Sequence, residues 1–193
     1  FWDKVLDIDT CHLQPEPTNA IRNFIRDWAI QRNLPFFNPR SQEGWLRTMM
    51  IRVASTGDVL VVIQFRTELQ AEREALLNDL VEVFPKITSL QYTINPKGND
   101  TLYDLDIHTF YGQPYIEEAM PKYSGGGQLR FKLGPKSFYQ TNPDQAYELY
   151  KVALDMANIQ PTDLVFDLYT GTGTIALFMA EKAKEVVGIE LVP

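Results

Sequence analysis

A strand, a glycine turn, a helix and a second strand follow one another between residues 164 and 190, and this succession constrains the fold most. The first strand, LVFDL over 164–168, is apolar except for Asp167, and the turn YTGTGT follows it directly. The pattern then predicts a helix over 173–184 and a strand over 185–190. This order is typical of the opening of a doubly wound α/β domain, in which ligands bind where the strands end.

The glycines of the turn allow a ligand to approach the backbone closely. Gly171 and Gly173 are the two positions where a Cβ atom would obstruct such a ligand most. Glu190 ends the second strand, 19 residues after Gly171. A carboxylate in that position can accept hydrogen bonds from both ribose hydroxyls of an adenosine. The spacing therefore predicts a site for a cofactor that contains adenosine.

The turn pattern alone leaves two cofactors open. Residues 171–176, GTGTIA, satisfy the dinucleotide fingerprint GxGxxA, so NAD and S-adenosylmethionine both match. Asp167 favours S-adenosylmethionine, because a carboxylate at the strand end would repel a pyrophosphate and attract a cationic sulfonium and amino group. A third interpretation is that the turn only packs a helix against a strand.

Composition limits the class of protein. The chain has 193 residues, 45% of them hydrophobic and 22% charged, which suits one large or two small globular domains. A net charge of −7 argues against a simple basic nucleic-acid wrapper but leaves room for a local basic face. The single cysteine, Cys11, excludes an internal disulfide framework and favours the cytoplasm. No apolar run is long enough to predict a membrane span, and the N-terminal residues do not resemble a signal peptide.

The remaining periodicities predict two domains. Residues 1–135 carry predicted helices over 19–31 and 68–84 and strands over 45–54, 59–65 and 87–94, with shorter strands around 102–110, 115–118 and 129–133. We interpret them as a central α+β domain.

Residues 136–193 would begin a Rossmann-like domain. They open with an amphipathic helix over 143–158, which Asn142 should cap. Six of its side chains are expected on its buried face: Tyr147, Leu149, Tyr150, Ala153, Leu154 and Met156. Two strands cannot complete a parallel sheet, so we expect the chain to be a fragment of a longer α/β protein.

Four sequence blocks, in order and at matching separations, resemble a known family. They are KSFYQTN (136–142), PDQAYELY (143–150), DLYTGTGTIALF (167–178) and VVGIE (186–190). Together they resemble the S-adenosylmethionine-dependent RNA uracil-C5 methyltransferases, which form 5-methyluridine in tRNA and ribosomal RNA. The resemblance is strong over 130–193 and looser over 1–130, through DIDTCHLQPEP and WLRTMMIRV. It implies a class I methyltransferase domain with S-adenosylmethionine as its cofactor.

The resemblance also implies roles for single residues. Gln140 would contact the cofactor, Tyr169 and Thr174 would flank it, and Glu190 would hold its ribose. The full predicted cofactor set is Gln140, Asp167, Tyr169, Gly171, Gly173, Thr174 and Glu190. Residue 170 is usually a cysteine in the family, and here it is a threonine. Plainer interpretations remain open, since Gln140 could be a capping amide, Tyr169 a packing aromatic and Glu190 a solvated acid.

No catalytic or metal-binding residue is predicted within the chain. The family uses a cysteine thiolate to attack C6 of uracil and a glutamate to remove the C5 proton, and both are expected beyond Glu190. The fragment should therefore be inactive by itself. In cluster-bearing members, a cysteine in the context of Cys11 is the last iron–sulfur ligand, but one thiolate cannot hold a cluster. His12 and His108 are interpreted as structural.

RNA is the predicted partner, with ribosomal RNA favoured over tRNA, and no membrane partner or oligomeric state is predicted. An RNA-facing groove could be lined by basic and aromatic side chains, or these could be ordinary surface residues. The candidates are Arg40, Arg47, Arg52, Arg66, Arg130, Lys132 and Lys136, with Trp45, Phe131 and Phe138. The alternative functions are a methyltransferase for protein or small molecules, an NAD-binding oxidoreductase and a non-catalytic RNA-binding module.

Overall fold

The computed structural model describes residues 6–191, and their contacts divide the chain into two compact units. The first unit extends to Ile116 and the second begins at Glu117. Within the described residues, no helix is both long and apolar enough to cross a membrane. Each unit is a mixture of helices and strands, which confirms the predicted α/β class.

The first unit is built on a four-stranded mixed sheet with two helices. Its elements are α1 (Thr18–Gln31), β1 (Leu46–Val53), β2 (Val59–Phe65), α2 (Gln70–Val83), β3 (Ile87–Ile94) and β4 (His108–Gly112). The strands lie in the order β1-β2-β3-β4. β1 and β2 form an antiparallel hairpin. β2 and β3 are parallel and are connected through α2, whereas β4 returns antiparallel to β3.

The hydrophobic core of this unit lies between the two helices and one face of the sheet. Trp45 is 1% exposed, and its ring lies 4.7 Å from that of Phe65 and 6.5 Å from that of Trp28. Leu76, Leu77 and Leu80 of α2 are fully buried in the same cluster. The helical spacing of these leucines predicts this buried stripe correctly. Leu69 precedes α2 and is partly exposed.

The other face of the sheet combines buried apolar and buried polar side chains. Leu60 and Val62 of β2 are fully buried there. Beside them, hydrogen bonds join Asn95 to Gln64 at 2.8 Å and Gln91 to Ser89 at 2.8 Å, and the hydroxyl of Thr93 donates to the carbonyl of Asp106 at 2.7 Å. Buried polar groups are tolerated when they are paired in this way.

Residues 99–107 form a loop, where the sequence predicts strand from residue 102. Arg47 explains the loop, because its guanidinium donates to Asp100 at 2.9 Å and to the carbonyls of Lys97 and Asn99 at 2.7 and 2.9 Å. Its side chain is only 1% exposed. These contacts fix the first part of the loop, and strand pairing with β3 resumes where β4 begins at His108.

The second unit contains the predicted glycine turn. Its elements are β5 (Ile116–Pro121), β6 (Gln128–Leu133), α3 (Pro143–Ala157), β7 (Leu164–Leu168), α4 (Thr174–Met179) and β8 (Glu185–Ile189). β5 and β6 form a two-stranded ribbon, and β7 and β8 form a parallel pair. The predicted strand over 164–168 matches β7 at both ends.

α3 begins as predicted but buries a narrower face. The side chain of Asn142 accepts the backbone N–H of Gln145 at 3.1 Å, so Asn142 is the N-cap. The buried residues of the helix are Ala146, Tyr150 and Leu154. The prediction was wrong for three of the six expected residues: Leu149, Ala153 and Met156 are exposed. They lie beside the buried stripe, where no other described element covers them.

α4 is shorter than the predicted helix over 173–184, because the chain turns after Met179. The carbonyl of Met179 accepts the N–H groups of both Lys182 and Ala183 at 3.1 Å, which tightens the last turn. Residues 180–184 then lead directly into β8. α4 packs against β7 and β8 and buries Phe178 against Tyr147 and Tyr150.

Leu77→Ala should lower the free energy of unfolding by about 2–5 kcal/mol, because it removes a fully buried side chain and leaves a cavity. Urea denaturation followed by the fluorescence of Trp28 and Trp45 measures this. Val83→Ala, at an exposed position of the same helix, is the matched control and should change stability by less than about 0.5 kcal/mol. Equal losses in both variants would contradict the assignment of the core.

Candidate functional site

The parallel pairing of β7 with β8 brings both predicted acids to one edge of the sheet. Asp167 pairs with Gly188 and Leu168 pairs with Ile189, so Glu190 follows β8 where the turn leaves β7. The carboxyl ends of parallel strands are where ligands of α/β proteins bind. Asp167 is half-buried and Glu190 is exposed.

The backbone of the turn is left-handed at three positions. Tyr169 has φ of 62°, Gly171 of 55° and Gly173 of 78°. Left-handed backbone suits glycine and strains a residue with a Cβ, so both glycines are required by conformation. A Cβ added to either glycine would meet no described atom within 4 Å. The space over these two glycines is therefore open to a ligand.

The carboxylate of Asp167 holds the turn from the β7 side. Its Oδ2 accepts the hydroxyl of Thr170 at 2.7 Å and the backbone N–H of Ala176 at 3.1 Å. These two bonds connect the end of the strand with the loop and with α4. Because Oδ2 takes both bonds, Oδ1 is the oxygen that a ligand could use. The negative charge of Asp167 also acts on Tyr150, whose pKa is raised by burial and, secondly, by this carboxylate.

Glu190 holds the same turn from the β8 side. Its Oε2 accepts the N–H of Gly171 at 2.8 Å, and its Oε1 accepts the N–H of Leu191 at 2.9 Å. Glu190 is exposed, as a solvated acid would be, and it is also hydrogen-bonded to the turn. Its carboxylate lies across the glycine turn, and its exposure keeps it accessible to a ligand.

The other predicted residues lie around this turn in different environments. Thr174 is 8% exposed, and its Oγ1 lies 3.0 Å from that of Thr172. Tyr169 is 88% exposed. It is therefore not an aromatic side chain that packs against the sheet. Gln140 is exposed in the loop that precedes α3. Asn142 provides the cap of α3, so Gln140 is not the capping amide. Among the described residues, no hydrogen bond connects Gln140 to the turn.

A polar cluster that the sequence does not reveal connects the ribbon of β5 and β6 with both helices. The hydroxyl of Tyr123 donates to Asp155 of α3 at 2.6 Å and accepts from Lys182 at 3.2 Å. The side chain of Glu181 accepts the N–H groups of Tyr123 and Ser124 at 2.7 and 3.0 Å. The Tyr123 ring also meets Phe178 edge-on, with its centroid 5.9 Å away. The partners lie 32 to 59 residues apart, so no local pattern could have indicated them.

The electrostatics of this cluster follow from its hydrogen bonds. The bond from Tyr123 lowers the pKa of Asp155 below its ordinary value, and the charge of Lys182 adds to the effect. Burial disfavours the ionised form of Glu181, but the hydrogen bonds from Ser124 and Tyr123 outweigh it and leave its pKa lowered. The bond with Tyr123 raises the pKa of Lys182. All three groups are therefore charged at neutral pH.

The arginines predicted to face RNA are largely engaged within the first unit. Arg47 is buried against the 95–100 turn, as described above. Burial lowers the pKa of Arg52, and its Nη1 is buried without a hydrogen-bond partner. Arg66 donates to the carbonyl of Gln42 at 3.1 Å. Trp45 is a core residue. Arg47 and Trp45 are therefore neither part of an exposed groove nor ordinary surface residues.

Cys11 and His108 each make contacts with neighbouring side chains of the first unit. The backbone N–H and carbonyl of Cys11 are both hydrogen-bonded by the side chain of Asn19, at 2.8 and 3.2 Å. The ring of His108 lies 5.1 Å from that of Tyr92. Among the described residues, no three His, Cys, Asp or Glu side chains converge on a point that could hold a metal ion.

Comparison with known proteins gives close relatives. The chain is 51% identical over 195 aligned residues to an RNA methyltransferase of Porphyromonas gingivalis and 49% identical to one of Bacteroides thetaiotaomicron. Both alignments cover 100% of this chain but 41% and 42% of the relatives. The chain thus spans about two fifths of the length of these curated relatives. No protein-family model matches it.

A solved structure shares the fold. The tRNA (uracil-54, C5)-methyltransferase of Pyrococcus abyssi, in complex with S-adenosyl-L-homocysteine, aligns with a TM-score of 0.76 over 98% of this chain and 44% of its own. Its sequence identity is 24%. The fold and the turn thus define an α/β protein with a Rossmann-like strand–turn–helix–strand unit. At up to 51% identity, the whole of this chain is similar to a part of these RNA methyltransferases.

Tyr123→Phe should raise the pKa of Asp155 toward its ordinary value, because the variant removes the hydrogen bond that lowers it most. A carboxyl with a lowered pKa stabilises the folded state above its unfolded pKa of about 3.9, and that stability is lost as the pH falls through the folded pKa. The difference in stability between wild type and variant should therefore be largest near neutrality and should shrink below about pH 3.

Carboxyl NMR titration of Asp155 and denaturation at several pH values measure the two effects. Tyr147→Phe is the matched control, since the ring of Tyr147 also packs on Phe178 while the pKa shift of Asp155 does not depend on its hydroxyl. An unchanged Asp155 titration in Tyr123→Phe would contradict the role given to the hydroxyl.

Proposed function

We propose that the glycine turn of this chain is part of the S-adenosylmethionine site of an enzyme that methylates C5 of uridine in RNA. The observation that carries the proposal is the pair of carboxylates, Asp167 and Glu190, both hydrogen-bonded to one glycine turn at the ends of parallel strands. Two negative groups suit a ligand with a sulfonium, an amino group and a ribose diol better than one with a pyrophosphate.

The residues present fit that cofactor. A Cβ at Gly171 or Gly173 would project into open space, so the glycines leave room for close contact with a ligand. Glu190 is exposed and lies over Gly171, where its carboxylate can accept ribose hydroxyls. The Pyrococcus relative was crystallised with S-adenosyl-L-homocysteine, which supports the same cofactor class here.

Each predicted residue has a proposed role in holding the cofactor. Glu190 accepts the ribose hydroxyls, and Asp167 presents a negative charge to the methionine part. Tyr169, which is almost fully exposed beside Gly171, covers one side of the ligand. Thr174 lines the turn with its hydroxyl, and Gln140 contributes an amide from the loop before α3. S-adenosylmethionine supplies the methyl group from its sulfonium; the residues of this chain bind and orient it.

The substrate of the whole protein is proposed from the family. The relatives are named as RNA methyltransferases, and the Pyrococcus structure is of an enzyme that acts on C5 of a uracil in tRNA. We propose a uridine in RNA, ribosomal RNA before tRNA, modified in the cytoplasm. We further propose that the attacking cysteine and the base belong to another part of the whole protein. The proposed functional domains, 1–135 for the central α+β domain and from 136 for the methyltransferase domain, differ from the two contact-based units, which divide after Ile116. By itself, the chain should be inactive.

S-adenosylhomocysteine should bind the whole protein, whereas NAD should not, and calorimetric titration of each ligand tests this directly. Glu190→Gln should weaken the binding about tenfold, since it removes a charged acceptor of the ribose hydroxyls. Glu185→Gln, an exposed acid of the same strand, should leave it unchanged. Binding of NAD in place of S-adenosylhomocysteine would overturn the proposal in favour of an oxidoreductase.

The whole protein should transfer a labelled methyl group from S-adenosylmethionine to undermethylated ribosomal RNA and form 5-methyluridine, identified by mass spectrometry of the nucleosides. Transfer RNA, a protein extract and small-molecule fractions serve as competing substrates. Label in protein or in small molecules alone would support the alternative methyltransferase classes. Label in RNA at another atom would retain the RNA substrate and reject the C5 assignment.

A further inference from the structure

We propose that Thr170 is a positioning residue for the cofactor site, and that it acts by fixing the carboxylate of Asp167. This inference rests on the proposed S-adenosylmethionine site. Thr170 is the residue at which the turn departs from the resembled family, where a cysteine is usual. Its hydroxyl donates to Oδ2 of Asp167 at 2.7 Å, the shorter of the two hydrogen bonds to that oxygen.

The backbone of Thr170 is fixed independently of its side chain. Its N–H donates to the carbonyl of Ile189 at 3.1 Å, and its carbonyl accepts the N–H of Gly173 at 2.8 Å. The first bond connects the turn to β8, and the second closes the turn around Gly171. The hydroxyl is therefore presented to Asp167 from a rigid position, so it can orient a carboxylate that would otherwise rotate.

Gly188 makes room for this arrangement. The Thr170 side chain folds over Gly188, the residue paired with Asp167 across the two strands. A Cβ at Gly188 would lie 2.9 Å from Oγ1 of Thr170, 3.0 Å from Cγ2 and 3.2 Å from Cβ. Contacts this short require the threonine to shift. Thr170 and Gly188 are thus a matched pair, in which the missing Cβ of one allows the hydroxyl of the other to reach Asp167.

The consequence for binding follows from the two oxygens of Asp167. Thr170 and Ala176 both donate to Oδ2, so the two bonds fix the orientation of the carboxylate and leave Oδ1 for a ligand. A carboxylate held in one orientation meets a cationic ligand without first losing rotational freedom. A cysteine thiol is a weaker donor than a hydroxyl, so this chain should hold Asp167 more firmly than a family member with cysteine at the same position.

Thr170→Val removes the hydroxyl at nearly constant shape and should raise the Kd for S-adenosylhomocysteine about tenfold, the effect of losing one hydrogen bond to a charged group. Thr170→Ser retains the hydroxyl and should stay within about twofold of wild type. Thr170→Cys should fall between the two. Thr162→Val, at an exposed threonine outside the turn, is the control and should bind normally. Equal binding by Thr170→Val and wild type would overturn the proposal.

Gly188→Ala tests the matched pair in the same titration. It should weaken binding in the wild-type background and should have a smaller effect in the Thr170→Ala background, where Oγ1 and Cγ2 are absent. Additive effects would show that the two positions act independently and would contradict the pairing.

Hydrogen exchange separates failure of this inference from failure of the proposed function. The N–H of Ala176 donates to the same Asp167 oxygen, so it should exchange faster in Thr170→Val than in Thr170→Ser, with no ligand present. If wild type does not bind S-adenosylhomocysteine, the proposed function fails, and the exchange rates still decide whether Thr170 fixes Asp167. Equal exchange rates in the two variants would overturn that role.

Discussion

The parallel register of β7 and β8 is the constraint from which the candidate site follows. It places Gly188 opposite Asp167 and brings Glu190 level with the glycine turn. Two carboxylates separated by more than 20 residues in sequence then bind a single turn. A register shifted by one residue would turn Asp167 and its strand neighbours to the opposite face and would remove both contacts.

Hydrogen bonds, more than packing, give the turn its shape. Its glycines meet no neighbouring atoms where a side chain would be, and Tyr169 is almost fully exposed. The restraints that remain are the bonds to Asp167 and Glu190 and those between backbone groups. A site built in this way is open and still ordered, which lowers the entropic cost of binding a flexible ligand.

Local sequence patterns predicted the helices and strands well. Pairs of side chains that are distant in the sequence could not be predicted in this way. β3 and β7 were correct at both ends, because short apolar and β-branched runs with turn residues beside them define a strand locally. The glycine turn was recognised because conformation requires its residues. The burial of Arg47 depends on Asp100 and on carbonyls about 50 residues away, and the hydroxyl of Tyr123 depends on Asp155. The residues next to an arginine or a tyrosine in the sequence do not indicate whether its side chain will bind a distant partner or face the solvent.

The two units satisfy the burial requirement of a sheet to different extents. In the first unit, helices cover one face, and the other carries Leu60 and Val62 beside hydrogen-bonded polar side chains; β2 is buried along its whole length. In the second, α4 covers one face of β7 and β8, while Leu164, Phe166 and Leu168 are each more than half exposed on the other. Parallel strands are normally buried on both faces. Asp167 lies on the same strand as these three side chains, but its carboxylate is held by Thr170 and Ala176. The geometry of the turn therefore does not depend on what covers Leu164, Phe166 and Leu168. The local order of the candidate site is therefore compatible with an incompletely covered sheet.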